Sequence, residues 1–375
     1  MDDEAFVQLW KELGSPTLVA KASGMSVRRV FARRTEIEAR HGIKLAASSD
    51  QRVSERVREL GYTDQDWTVA WDKTEGLSVL INNPMRVSKT HLQDALKDTL
   101  AEIRKASPKL PKISRPKPGK DPALLICNMS DLHFGGWSGG GVDAVRQAVE
   151  AGLNDAISRS STYDIDHIHF VMGSDCLHVD SAVSNTTSKG TPIDTDGSSW
   201  SQAFTAAKDA YIHCVHSLRQ IAPVTCIHVG GNHDELSSWC LSQTIEAYFH
   251  KASDVSFVVN DHPRKYLKYG VNMIGYSHGD KVREAELPMV AAHEASDIWG
   301  ATTHRYLYLG HWHQTKQTRY LAISEKPGVV MQWLRSPKPP DNWHIAHGFM
   351  AGRSITSFIH SKSGGQIAQL TINLT

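Results

Sequence analysis

Short apolar runs that end in polar motifs recur along the chain from residue 123 onward. Runs of about four to eight apolar residues bounded by glycine or polar residues are typical of buried strands. The runs and the motifs that follow them are ALLICNMS before DLHFGG, HIHFVMG before SDCLH, VTCIHV before GGNHDE, VNMIGY before SHGD, and RYLYLG before HWH. Helical patterns at residues 142–158 and 201–220 separate some of these runs. The alternation predicts an α/β fold whose strand ends gather on one side.

The first 60 residues have the periodicity of short helices instead. Apolar side chains recur at helical spacing up to Leu13, and Gly14-Ser15-Pro16 ends one helix and begins the next. The following stretch resembles a helix-turn-helix unit, with Ala20 as the small residue, Gly24 at the turn and Val30 as the buried aliphatic residue. The second helix of this unit would carry four basic side chains, namely Arg28, Arg29, Arg33 and Arg34.

The charge of the chain is unevenly distributed. Residues 1–120 carry 22 Lys and Arg against 16 Asp and Glu, whereas the whole chain has a net charge of only +1. A basic face on a helix-turn-helix unit favours contact with DNA, and we expect Arg28, Arg29 and Arg33 to make it. A small helical bundle with a solvated arginine face is the alternative.

The pattern divides the chain into four predicted parts, which are a helix-turn-helix-like region at 1–60, a hairpin plus helix at 61–106, a basic linker at 107–122 and the α/β domain at 123–375. The hairpin covers residues 67–81 and the amphipathic helix covers Thr90 to Lys105. Four prolines and a set of lysines and arginines make the linker stiff and extended. Alternating apolar residues after Ser336 predict strands that complete a second sheet.

Composition narrows the location. The five cysteines form no CxxC pair, which argues against a disulfide framework or a zinc ribbon. No apolar run approaches the roughly 18 residues that a membrane span needs, and the acidic start has no export signal. We therefore expect a cytoplasmic protein without membrane contact. Its size and accessory region would suit a phage protein, for which the location would be the host cytoplasm.

Metal-ligating residue types collect at the predicted strand ends, where open α/β sheets build their sites. They are Asp131, His133, Asp175, Asn232, His233, His278, His311 and His313. In Asp131-Leu132-His133 and His311-Trp312-His313 the paired residues are two apart, which on an extended strand puts both side chains on one side. So many ligands exceed one tetrahedral site but fit two ions that share a bridging carboxylate.

The ligand types also indicate the metal and the substrate. Carboxylate, amide oxygen and imidazole together suit manganese, iron or zinc better than calcium or magnesium. Two dications beside only two carboxylates, Asp131 and Asp175, leave a net positive pocket that suits a phosphate. In GGNHDE, Gly230 and Gly231 allow a tight turn after the strand.

The order D-x-H, G-(x)-D-x-x-H, G-N-H-D, H-G and G-H-x-H resembles the calcineurin-like metallophosphoesterases, and most of all the SbcD-type nucleases that process DNA double-strand breaks. The resemblance implies a four-layer α/β/β/α sandwich with the site at the strand ends and usually manganese. One ion would be held by Asp131, His133, Asp175 and His313. The other would be held by Asp175, Asn232, His278 and His311.

The resemblance also assigns roles around the ions. His233 would face the phosphate and protonate the leaving oxygen or stabilise the transition state. From its position next to His233, we expect the Asp234 carboxylate to orient that ring. His178 matches the nuclease branch, where a second histidine assists at the scissile phosphate. The family has glycine directly before the bridging carboxylate, whereas Ser174 intervenes before Asp175 in this chain, and a local bulge could absorb it.

The implied function is a two-metal-dependent phosphodiesterase that hydrolyses DNA as an exo- or endonuclease. A phosphomonoesterase or small-nucleotide phosphodiesterase on the same scaffold is one alternative, because a fold does not fix its substrate. A non-catalytic DNA-binding or scaffold protein is another. DNA is the expected partner, and the sequence leaves a homodimer or an ATPase partner open.

Other residues have more ordinary interpretations. Five histidines are expected to be structural, namely His167, His169, His213, His216 and His228. The Ser/Thr/Gly-rich stretch at 181–200 is either a lid or an insertion. Trp137 either stacks a base or anchors its loop.

Overall fold

The structure is a computed structural model that describes residues 1–13, 15–43, 45, 69–72, 77–80, 101, 104–137, 139–312, 323–326, 328–339 and 352–374. The chain forms two compact units, Met1–Asp94 and Ala95–Thr375. No helix in the described ranges is long and apolar enough to cross a membrane.

The first unit begins with three helices, α1 (Asp3–Leu13), α2 (Pro16–Ser23) and α3 (Val27–His41). The break between α1 and α2 and the turn after α2 confirm the prediction from the sequence. Pro16 occupies the first turn of α2, and Gly24 follows α2 in the left-handed conformation with φ of 70°. The core of the three helices includes Phe6, Trp10 and Val30. This core fixes which side of α3 is buried.

The rest of the first unit is described only in part. Strands β1 (Val69–Asp72) and β2 (Leu77–Leu80) form an antiparallel pair, which confirms the predicted hairpin. The helix predicted for Thr90 to Lys105 falls largely outside the described residues.

The second unit contains a larger mixed sheet. Its strands are β3 (Ala123–Asn128), β4 (Ile165–Gly173), β5 (Val224–Val229), β6 (Val255–Val258), β12 (Arg353–Ser361) and β13 (Gly365–Leu374). The order across the sheet is β13-β12-β3-β4-β5-β6. Strands β3 to β6 are parallel, so their carboxyl ends lie at one edge.

A smaller mixed sheet follows. Its strands are β7 (Arg264–Tyr269), β8 (Asn272–Ser277), β9 (His304–Leu309), β10 (Ile323–Lys326) and β11 (Val329–Trp333), in the order β10-β11-β9-β8-β7. Strands β8, β9 and β11 are parallel to one another. Their carboxyl ends therefore also share an edge.

The expectation that the carboxyl-terminal strands complete the second sheet is wrong. Strand β12 pairs antiparallel with β3 and with β13, both in the larger sheet. The residues of β12 are almost all buried, whereas those of β13 alternate between more and less buried. An interior strand and an edge strand give these two burial patterns, and the apolar pattern alone did not name the neighbouring strand.

Five helices complete the second unit, namely α4 (Gly141–Ser160), α5 (Trp200–Leu218), α6 (Glu235–Phe249), α7 (Leu287–Glu294) and α8 (Ser296–Gly300) among the described residues. One hydrophobic cluster joins α4, α5 and α6 to the larger sheet. A second contains side chains of both sheets, such as Ile126 and Tyr276. A third joins α7 and α8 to the smaller sheet. The unit is therefore a mixed α/β structure.

Residues 107–122, predicted to form an extended linker, lack regular secondary structure and contact the α/β part of the second unit. Arg115 Nη2 lies 2.5 Å from an Asp254 carboxylate oxygen. The same carboxylate accepts a hydrogen bond from the buried Arg219, at 2.7 Å. Arg219 also donates to the carbonyl oxygen of Pro111, at 3.1 Å.

Candidate metal centre

The polar motifs lie at the carboxyl ends of parallel strands in both sheets. Asp131, Asp175 and Asn232 follow β3, β4 and β5, and His278 and His311 follow β8 and β9. Side chains from two sheets can therefore meet at one place, as the alternation of strands and motifs predicts.

Left-handed backbone conformations concentrate at this place. Within the described residues, every non-glycine residue with positive φ lies here: Asp131 (57°), His133 (50°), Ser174 (53°), Asp175 (60°) and His311 (72°). Such conformations disfavour L-residues and tend to cluster at functional sites. The expectation that Asp131 and His133 share one face of an extended strand is therefore wrong, because a turn after β3 sets their directions.

The extra serine is accommodated by the same kind of turn. Gly173, Ser174 and Asp175 all have positive φ. The Ser174 N–H donates to the carbonyl oxygen of Val229 at 2.5 Å, and the Ser174 carbonyl oxygen accepts from the Asp131 N–H at 2.7 Å. The Ser174 hydroxyl lies 3.0 Å from His278 Nδ1. The inserted residue thus links the end of β4 to the ends of β3, β5 and β8.

Asp175 is the centre of the cluster. Its Oδ2 lies 3.1 Å from His278 Nε2, and its Oδ1 accepts from the His233 backbone N–H at 2.8 Å. His278 Nε2 in turn lies 2.8 Å from Asn232 Oδ1 and 3.2 Å from His311 Nδ1. Four of the expected ligands therefore converge on one point.

The ligand atoms form overlapping groups that could hold a metal ion. Those of Asp175, His278 and His311 lie within 4.8 Å of one another, and so do those of Asp131, His133 and Asp175. Asp175 belongs to both groups and is buried. Its two oxygens are the atoms that a bridging carboxylate would use. His313, the remaining expected ligand, lies outside the described residues.

Three histidines form a further group beside these two. The ligand atoms of His133, His178 and His233 also lie within 4.8 Å of one another. The His178 and His233 rings are stacked with centroids 5.2 Å apart, and both meet the His133 ring edge-on. The expected catalytic histidines are thus next to the expected ligands.

Burial and charge act in opposite directions on the central pair. Burial alone would lower the pKa of His278, but the nearby Asp175 carboxylate outweighs it and raises that pKa to about 9. Burial would raise the pKa of Asp175, but the facing His278 holds it well below its usual range. The Asp175 carboxylate therefore stabilises a positive charge at the position of the His278 ring.

Asp234 differs from its expected role. Its Oδ2 accepts from the Leu177 N–H at 2.9 Å, while His233 Nδ1 lies 2.9 Å from the carbonyl oxygen of His178. A backbone carbonyl rather than Asp234 therefore orients His233. Burial, followed by the negative charge of Asp175, raises the pKa of Asp234 well above its usual range. Its Oδ1 is buried without a hydrogen-bond partner.

Trp137 and Arg33 both have partners within the protein, and those of Trp137 decide between its two interpretations. Trp137 is 2% exposed, and its Nε1 donates to the carbonyl oxygen of Leu132 at 2.7 Å, so it is a loop anchor and not a stacking surface. Arg33 lies 3.4 Å from Asp3 and over the Phe6 ring, so its charge is already compensated within the first unit. Arg28 and Arg29 are exposed.

The histidines expected to be structural have partners away from the centre. His167, His169 and His228 lie within hydrogen-bond distance of Thr225, Tyr276 and Ser238. His216 lies 3.3 Å from the Tyr248 hydroxyl, and His213 is exposed.

Sequence reasoning missed several supports of the centre. The Ser336 hydroxyl donates to the Asp131 carbonyl oxygen at 2.7 Å, and the Asp194 carbonyl oxygen lies 2.8 Å from His178 Nε2. Backbone acceptors carry no side-chain signal, so nothing in the motif pattern indicated them. Ser174 did have a signal, since it interrupts a recognisable motif.

Neither the family models nor the curated proteins that were searched include a match to this chain. The structure defines a mixed α/β protein with buried histidine and aspartate groups that could hold a metal ion.

Proposed function

We propose that this protein is a two-metal-dependent phosphodiesterase that hydrolyses DNA. The observation that carries the proposal is the position of Asp175, which is shared by two groups of ligand atoms at the carboxyl ends of parallel strands. A shared carboxylate between two ligand groups is the arrangement that two-metal hydrolases use.

The layering supports the family assignment that the motifs imply. The three hydrophobic clusters of the second unit follow the order helices, larger sheet, smaller sheet and helices. This order agrees with a four-layer α/β/β/α sandwich. The proposal takes the larger sheet to supply Asp131, Asp175 and Asn232, and the smaller sheet to supply His278 and His311.

The donor set fits manganese, with iron or zinc as alternatives. One ion would be held by Asp131, His133 and Asp175 with His313, and the other by Asp175, Asn232, His278 and His311. Two buried carboxylates and several imidazoles are a mixed oxygen and nitrogen set, which calcium and magnesium do not favour. Bound divalent ions at such a site supply positive charge that stabilises a phosphoryl group as negative charge develops on it, and they polarise water.

In this proposal, His233 supplies the proton that the leaving oxygen takes up. The carbonyl oxygen of His178 can only accept, so the contact at 2.9 Å puts a hydrogen on His233 Nδ1. Its Nε2 is then the nitrogen that exchanges a proton with the substrate. When Nε2 also carries a proton, the imidazolium gives that proton to the leaving sugar oxygen as the phosphodiester breaks, and the ring returns to the neutral form with its hydrogen on Nδ1.

DNA as the substrate rests on residue type and charge. His178 has the identity that the resemblance associates with nucleases. The exposed Arg28 and Arg29 on α3 offer positive charge to a phosphate backbone. We also propose a cytoplasmic location, since all five cysteines are free and four of them are buried.

Hydrolysis assays test the proposal directly. The manganese-loaded protein is incubated with end-labelled single- and double-stranded DNA, with p-nitrophenyl phosphate and with bis-p-nitrophenyl phosphate. Asn232→Ala, which removes a ligand oxygen, serves as the blank. We expect metal-dependent hydrolysis of DNA and of the bis-ester. The rate of hydrolysis by Asn232→Ala should be lower by at least about 100-fold.

The other outcomes separate the alternatives. Hydrolysis of the monoester alone would assign the protein to the phosphomonoesterases. DNA binding without any hydrolysis, in a preparation shown to contain metal, would favour a non-catalytic DNA-binding protein.

A further inference from the structure

His178 contacts a backbone carbonyl with one ring nitrogen. Its Nε2 lies 2.8 Å from the carbonyl oxygen of Asp194, in the loop between β4 and α5. A carbonyl oxygen only accepts, so Nε2 must carry the hydrogen. In the neutral ring, the lone pair is then on Nδ1.

The other nitrogen of His178 faces His133. The two Nδ1 atoms lie 3.1 Å apart, and both rings are buried. Two lone pairs at this distance would repel each other, so one of these nitrogens must carry a hydrogen. Because His178 has its hydrogen on Nε2, the contact is satisfied when the Nδ1–H of His133 donates to His178. Nε2 of His133 then has the lone pair that a metal ion needs.

We propose that His178 is a positioning residue that selects the metal-binding nitrogen of His133. The connection runs from the Asp194 carbonyl oxygen through the His178 ring to the His133 ring. It rests on the proposed two-metal site, in which His133 is a ligand together with Asp131 and Asp175. Metal-binding histidines usually donate their second N–H to an acceptor that fixes the ring, and here the acceptor is another imidazole.

The loop that contains this carbonyl is attached to the helix that follows β5. The Asp180 carboxylate accepts from the backbone N–H groups of Leu236 and Ser237, at 3.2 and 2.7 Å. The Ser188 hydroxyl accepts from the Glu235 N–H at 2.9 Å. The loop is therefore tied to the first turn of α6 at two points. Its anchoring explains how a polar loop without regular secondary structure can fix a histidine.

The ring of His178 also depends on a glycine. A Cβ atom added at Gly136 would lie 2.7 Å from His178 Nδ1 and closer still to its Cγ. Real Cβ atoms do not approach other heavy atoms so closely. Because Gly136 does not have a positive φ, alanine meets no left-handed strain there, and the substitution acts by displacing the ring. It therefore offers a second way to break the connection while His178 remains present.

Metal binding without substrate tests the proposal. His178→Asn keeps an acceptor at the position of Nδ1, whereas His178→Leu removes it at similar volume. We expect Mn²⁺ affinity of the His178→Leu protein to fall about 10- to 100-fold, with His178→Asn much closer to the wild type. Gly136→Ala should resemble His178→Leu. His213→Leu, at an exposed position on α5, is the control, and thermal unfolding shows whether each variant is folded.

The hydrogen positions can be observed directly. Long-range proton–nitrogen NMR of the metal-free protein, with labelled histidine, should show the hydrogen on Nδ1 of His133 and on Nε2 of His178. The His178→Leu variant identifies the His178 signals. A hydrogen on Nε2 of His133 in the wild type would overturn the proposal.

Two binding results would also overturn it. A folded His178→Leu protein that binds two ions with wild-type affinity would show that His178 does not position His133. A wild-type protein that binds three ions and a His178→Leu protein that binds two would show that an ion lies between His133, His178 and His233 instead. A protein that shows the expected binding pattern but does not cut DNA would reject the nuclease and leave this positioning role intact.

Discussion

Two of the places in which the described part of the protein buries histidines differ in one chemical respect. In the metal centre, His278 faces the Asp175 carboxylate. Between the sheets, His169 lies 2.8 Å from the Tyr276 hydroxyl, and His360 lies 2.7 Å from the Tyr308 hydroxyl. We refer to these last four residues as the histidine–tyrosine group.

The two places have opposite electrostatics despite similar burial. Burial lowers the pKa of His169 and of His360 to about 3, because a phenol has no charge to offset desolvation. At His278 the Asp175 carboxylate outweighs burial and raises the pKa to about 9. A buried histidine is therefore a candidate ligand when a carboxylate shares its cavity, and a structural residue when its partner is neutral.

The largest expected effect is a difference in metal binding between alanine substitutions at two adjacent glycines beside the metal centre. A Cβ atom at Gly231 would lie 2.8 Å from Cγ of Asp175, whereas one at Gly230 would have its nearest neighbour, in Glu235, at 3.8 Å. We expect Gly231→Ala to weaken metal binding by at least about 100-fold, since it displaces the shared carboxylate. Gly230→Ala should bind metal as the wild type does. Metal titration of the two purified variants gives the comparison.

The histidine–tyrosine group should be unaffected by either substitution. If Gly231→Ala bound two ions normally, Asp175 would not be the shared ligand and the distinction between the two places would fail.

The second effect concerns pH and the histidine–tyrosine group. In the folded protein the pKa of His360 is about 3, which is below its value in the unfolded chain. Its contribution to the free energy of unfolding is therefore complete above the unfolded pKa and is lost as pH falls toward 3. At pH 5 the loss amounts to about 2 kcal/mol. His360→Gln cannot titrate and keeps a polar contact for Tyr308. We expect its free energy of unfolding to fall about 2 kcal/mol less than that of the wild type between pH 7.5 and pH 5.

Urea unfolding of the metal-free proteins measures this difference. The pKa of His278 is shifted upward, so its contribution is present below the unfolded pKa and is lost as pH rises through about 9. It is common to both proteins and cancels in the comparison. Equal slopes for wild type and His360→Gln would show that His360 is not held neutral by burial.

The smallest effect is expected at a histidine pair that only resembles a site in sequence. His213 and His216 are three residues apart on α5, but His213 is exposed and His216 contacts Tyr248. His213→Ala should leave the number of bound ions unchanged and alter the free energy of unfolding by less than about 0.5 kcal/mol. The loss of a bound ion would reveal a surface metal site at this pair.

Much of the fold follows from patterns that are local in sequence. Apolar runs bounded by glycine gave β5 at its observed limits, and Gly14-Ser15-Pro16 separated α1 from α2. The sheet to which a strand belongs is not a local property. For this reason the carboxyl-terminal strands were assigned to the wrong sheet, since β12 joins β3 from more than 200 residues away.

The candidate site likewise has features that the sequence shows and features that it does not show. The side-chain types of its ligands are explicit in the motifs, and the structure brings Asp175, Asn232, His278 and His311 together. What orients the neighbouring His233 and His178 is not explicit in the motifs, because the carbonyl oxygens of His178 and Asp194 that they contact could belong to any residue type. The ion pair between Arg33 and Asp3 could not be predicted from the sequence pattern either, because it depends on how α1 and α3 pack.

The attachment of residues 104–115 to the rest of the second unit has a practical consequence for fragments of this protein. Lys251 donates to the carbonyl oxygens of Lys105 and Ser107, Arg104 pairs with Glu246, and Arg115 pairs with Asp254. A recombinant fragment cut at the apparent sequence boundary, residue 123, would leave these partners exposed to solvent. A fragment intended for crystallisation or enzymology should therefore begin before residue 104.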